Sequence, residues 1–126
     1  MTAPTPHVLL IAARTALDRP GGLGGSAWAR STALLTRQAL EAALAAYWSA
    51  RAPGMESCSA KCQLLALPFY VDDPTIRAAH QTWAALSNAC HHHAYDLSPT
   101  APELRDWLDS TQAVIDTLTQ ATVVPG

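Results

Sequence analysis

A chain of 126 residues is the size of one domain, too short to house a cofactor domain beside a substrate domain. Hydrophobic residues make up 49% and charged residues 14%, which provides apolar surface to bury and excludes a disordered, highly charged chain. Ten acidic against eight basic residues give a net charge of −2, with no basic excess for clasping an extended DNA duplex.

Thr5 followed by Pro6 predicts an N-cap with proline in the first turn, opening a helix that runs to Ala16 or Leu17 before Pro20 and the glycines stop it. The apolar run Val8–Ala13 is too short to span a bilayer, and residues 1–6 lack the basic start of a signal peptide. A soluble cytoplasmic protein without membrane contact is expected. Residues 21–25 form a loop, and Ser26 is the expected cap of a second helix ending near Pro53–Gly54. That helix places Trp28, Leu35, Ala39, Ala42 and Ala46 on one stripe and Leu40, Leu44 and Tyr47 on a neighbouring one. A short third helix from about Ser57 carries Cys58, Cys62, Leu64 and Leu65 and stops before Pro68. Asp73–Pro74 opens a fourth, with Ile76, Ala79, Trp83, Leu86, Cys90 and Ala94 as its core-facing stripe. Thr100 and Glu103 form a capping box before a fifth, whose inward residues are Leu104, Trp107, Leu108, Ile115 and Leu118. Strand patterning is nearly absent, so the expected fold is all-α: a single up-and-down bundle of four to five helices. Its core spans about residues 5–120, and residues 121–126 form a frayed tail. Among the tryptophans, Trp83 and Trp107 read as core and Trp48 as an exposed or subunit-facing ring.

Polar chemistry is sparse. His91, His92 and His93 are consecutive, so on a helix they point about 100° apart and cannot converge on one ligand. At four-residue spacing Ser87 pairs with His91 and Asn88 with His92, an arrangement in which an imidazole acts as a base or holds a phosphate. The competing reading is that the histidines fill a last helical turn, where positive charge suits the dipole. Arg37 and Glu41 lie one turn apart inside an apolar segment. They are either a solvated pair or, if that face turns toward the fourth helix, a cation beside Asn88 and His92. Cys58 and Cys62, with Cys90 or the histidines, are a conceivable zinc set; without a second closely spaced cysteine pair, thiols packed as small apolar groups are the favoured reading. Residues 22–27 fit the glycine spacing of a dinucleotide loop, but a helix precedes them where a strand is required. No metal and no cofactor are therefore expected.

Residues 34–44, LLTRQALEAAL, and 86–104, LSNACHHHAYDLSPTAPEL, resemble the second and the motif-bearing helices of HEPN domains, the higher-eukaryote and prokaryote nucleotide-binding bundles. The likeness extends loosely over residues 26–118. It implies a homodimeric bundle of the kind found in toxin–antitoxin pairs, phage defence and RNA processing, whose active members are metal-independent endoribonucleases using an arginine shortly before a histidine. Asn88 and His92 match the family's polar and histidine positions. The arginine does not match, because residues 84–88 read Ala84, Ala85, Leu86, Ser87 and Asn88. A serine hydroxyl cannot neutralise a scissile phosphate as a guanidinium does. The expected function is a binding or regulatory module for a nucleotide, short RNA or antitoxin-like partner, without robust nuclease activity. His92, Asn88 and Arg37 are its central residues and His91, His93, Ser87 and Glu41 its ligand contacts. The alternatives are a working ribonuclease with His92 as base and Arg37 as phosphate clamp, and a metal-binding bundle using Cys58, Cys62 and the histidines.

Overall fold

Thr5 caps the first helix as its position predicts: its hydroxyl accepts the Val8 amide at 3.2 Å, and Pro6 opens α1, Pro6–Leu17. The structure, a computed structural model, describes residues 4–19, 25–91 and 98–123. Among these, every regular element is helical. The expected glycine loop lies almost wholly outside the described residues. The second helix, α2, runs Gly25–Arg51, so Ser26 falls inside it and not at its cap.

Gly54 turns the chain with a left-handed φ of 107°, which glycine adopts without a Cβ penalty. A 3-10 turn at Met55–Ser57 follows. The Ser59 hydroxyl accepts the Cys62 amide at 3.2 Å and sets the start of α3, Ala60–Ala66, later than the expected Ser57. Cys58 therefore stands outside the helix, and both it and Cys62 are exposed, contrary to the expectation of packed thiols. Pro68 sits in a second 3-10 turn, Leu67–Phe69, near whose start a missing N–H costs no helical bond.

The fourth expected helix is two. Asp73 caps the Thr75 amide at 2.8 Å and opens α4, Pro74–Arg77; Ala78 breaks the run, and α5 spans Ala79–Cys90. Its C-cap is His91, whose N–H bonds the Ser87 and Asn88 carbonyls. The helix thus ends at Cys90, and His92 and Ala94 lie outside the described residues. The capping box forms as expected: the Thr100 amide donates to Glu103 Oε1 at 3.0 Å, and the Glu103 amide to Thr100 Oγ1 at 3.3 Å. The helix it opens, α6, is Ala101–Val123 and outlasts the predicted fraying point at residue 121.

Side-chain contacts give the directions. The Trp28 indole donates to the Ala16 carbonyl at 2.6 Å, bringing the start of α2 beside the end of α1. Trp83 meets Glu41, and Arg14 meets Asp109. Pro6, Ala46 and Thr122 line one groove, where α1 begins and α2 and α6 finish. The four long helices α1, α2, α5 and α6 thus alternate in direction as an up-and-down bundle, with α3 and α4 inserted between α2 and α5 at the end where α2 finishes.

Leu10 and Leu17, Leu40 and Leu44, Ile76 and Leu86, and Leu104, Leu108, Ile115 and Leu118 fill the core. Buried Thr32 and Thr36 keep their hydroxyls satisfied by donating to carbonyls one turn back. Two expectations for α2 fail. Trp48 is completely buried, edge-on to Tyr47 and Tyr70, while Ala46 is exposed. The helix is apolar around much of its circumference, so its neighbours and not its sequence decide which apolar residues face inward. Trp83 and Trp107 pack against the core with partial exposure. Among the described residues no helix is long and apolar enough to cross a membrane.

Candidate functional site

Arg30, Arg37 and Glu41 recur on α2 at spacings that place them on one flank of the helix, beside its buried face. That flank meets α5. The Trp83 indole N–H donates to Glu41 Oε2 at 3.0 Å, and the same oxygen stands 3.7 Å from Arg37 Nε. The longer separation is an ion pair without a hydrogen bond. Because both side chains are partly exposed, the pair contributes about 0.2–1 kcal/mol at most.

Two polar atoms of this seam are buried without a hydrogen-bond partner among the described residues: Arg37 Nε and Ser87 Oγ. Each such buried donor or acceptor costs roughly 1–3 kcal/mol when nothing satisfies it, so the seam carries open hydrogen-bonding capacity. Further along α5, burial pushes the Cys90 thiol above its ordinary pKa, an effect opposed by Arg37, reinforced by Glu41 and opposed again by Arg30. A thiol raised in this way stays protonated at neutral pH and is a poor nucleophile.

The expected site residues separate accordingly. Arg37 and Glu41 do turn toward the helix that precedes the histidines, and Ser87 is half-buried on that helix. Asn88, one residue on, is exposed with no side-chain hydrogen bond among the described residues, and exposed His91 occupies the C-cap. His92 and His93 lie outside the described residues. The predicted pairing of Asn88 with His92 therefore also falls outside the described residues, α5 itself ending at Cys90.

Cys58 and Cys62 belong to the inserted segment at the end where α2 finishes, and Cys90 to the last turn of α5. Among the described residues no group of three or more His, Cys, Asp or Glu side chains is placed to hold a metal ion. Sequence reasoning missed Trp83 as the donor to Glu41, and also Arg30 and Cys90 as members of the seam. The signal was the recurrence of Arg30 with Arg37 and Glu41, and of Trp83 with Ser87 and Cys90, at whole-turn spacings.

Comparison with known proteins finds no matching family model, no similar curated protein and no similar solved structure.

Proposed function

We propose that this chain is a HEPN-like helical module that binds the phosphate of a nucleotide or short RNA at the α2–α5 seam and does not cleave it. The observation that carries the reading is the pair of unsatisfied buried atoms, Arg37 Nε and Ser87 Oγ, on the two helices that form the seam. A guanidinium already held in place by a carboxylate has little conformational freedom left to lose, so an anion approaching it gains charge-assisted hydrogen bonds at low entropic cost. Arg30 adds positive potential to the same flank. The module pairs as a homodimer or with an antitoxin-like protein, as the family resemblance implies.

The test is titration of the whole protein with a short single-stranded RNA and with ATP, read by tryptophan fluorescence and checked by gel for cleavage. Saturable binding that Arg37→Ala weakens about tenfold, with the RNA left intact, supports the reading. Binding that is absent, or indifferent to Arg37, overturns it. A second reading, the ribonuclease with His92 as base, is favoured by the turn of Arg37 toward α5. It is adopted if RNA is cut and His92→Ala abolishes the cutting.

A further inference from the structure

At the opposite end of α2, alanines replace long side chains. Ala43 and Ala46 face Ile115 and Leu118 of α6 across a groove of about 250 Å³, with Pro6 and His7 of α1 along its rim. The missing side-chain volume leaves the helices touching below an unfilled trough. A smaller lobe of about 90 Å³ adjoins it, lined by Tyr47, Ala50, Arg51, Ala121 and Thr122, and shares Tyr47 and Thr122 with the first. Together they reach the lower end of the ~300–1,000 Å³ typical of small-molecule sites.

The two lobes differ in chemistry. The larger is mainly apolar, lined by Pro6, Ala43, Ala46, Ile115 and Leu118 together with the His7 and Tyr47 rings. The smaller carries the Arg51 guanidinium, and among the described residues no carboxylate side chain lines either lobe. The hydroxyls of Thr119 and Thr122 donate to the carbonyls of Ile115 and Leu118 at 2.8 Å each, so those donors are already committed to their own helix. Arg51 and the Tyr47 hydroxyl remain. Burial raises the Tyr47 pKa, against which the Arg51 charge acts. The phenol is thus neutral near pH 7.

We propose that this groove binds a small amphipathic carboxylate of the fatty-acid class. Its chain lies over Ala43, Ala46, Ile115 and Leu118, and its carboxylate rests on Arg51 beside the Tyr47 hydroxyl. An alcohol or an amine of equal length lacks the anionic head that the polar lobe accommodates. The site is separate from the α2–α5 seam and does not depend on the phosphate reading.

The experiment is an NMR titration of the full chain with sodium octanoate and, in parallel, with 1-octanol, following amides of residues 43–51 and 115–122. Octanoate saturates those shifts and binds more tightly than octanol. Arg51→Gln weakens octanoate about tenfold and leaves octanol unchanged. Ala46→Trp, at an exposed position where the larger ring fills the trough, weakens both while the rest of the spectrum stays native. Absence of saturable shifts at these amides overturns the proposal. So does an Arg51→Gln variant that binds octanoate as the parent does.

Discussion

The two halves of α2 solve the packing of a long helix in opposite ways. Toward α5, the half around Arg37 fills its seam with long polar side chains and leaves hydrogen-bonding atoms open. The half from Ala43 onward meets α1 and α6 through alanines and leaves space open, while Trp48 on the same stretch is sealed in. A helix that is small and apolar nearly all round packs closely where a large ring is available and gapes where none is. Where charged side chains intervene, contact is kept and what stays unmet is polar.

If that contrast is right, the largest loss of stability comes from the sealed ring. Trp48→Ala removes a completely buried indole and is expected to cost about 3–5 kcal/mol in urea unfolding. Trp48→Phe sharpens the point: its buried N–H has no hydrogen-bond partner among the described residues, so the phenyl ring removes an unsatisfied donor along with some packing. Its cost is expected to stay below about 1.5 kcal/mol. Equal losses in the two variants would show that the indole nitrogen does have a partner.

The seam is expected to be weaker. Glu41→Ala strips the Trp83 N–H of its acceptor and Arg37 of its counter-ion, and about 1–2 kcal/mol is expected because solvent reaches part of the pair. A double-mutant cycle with Trp83→Phe isolates the hydrogen bond. Additive losses would mean that the bond contributes nothing and that the two halves differ less than argued.

The smallest effect belongs to the cap of α6. Hydrogen bonds from the Thr100 backbone and side chain hold the Glu103 carboxyl below its ordinary pKa. A carboxylate with a depressed folded pKa contributes stability that is complete above its unfolded value and lost as pH falls through the folded one. Acid titration of the melting temperature is expected to show a small decline beginning near the ordinary glutamate range. Glu103→Gln should remove that component and leave the stability near neutral pH slightly lower, whereas Thr100→Ala, which keeps the backbone donor, should only reduce it.

Local chemistry was legible from residue order. The caps at Thr5, Asp73 and Thr100 are each settled within a few residues by a side chain that meets a nearby amide, and the structure places all three where expected. Half of the seam was legible too, since Arg37 and Glu41 stand out as charge inside an apolar stretch. Trp83 as their partner was not, because its hydrogen bond joins residues 42 apart in the chain.

What residue order determined by itself is the helical class and the helix starts at Thr5, Asp73 and Thr100, because backbone amides at a helix start are satisfied by neighbours in sequence. Only tertiary structure decided that Trp48 is sealed while Ala46 is bare, that α5 meets the Arg37 flank, and that a trough opens beside Arg51. Rotation of an alanine-rich helix about its own axis changes little in local energy. The large side chains of neighbouring helices, competing for burial, set its orientation and with it every site on its surface.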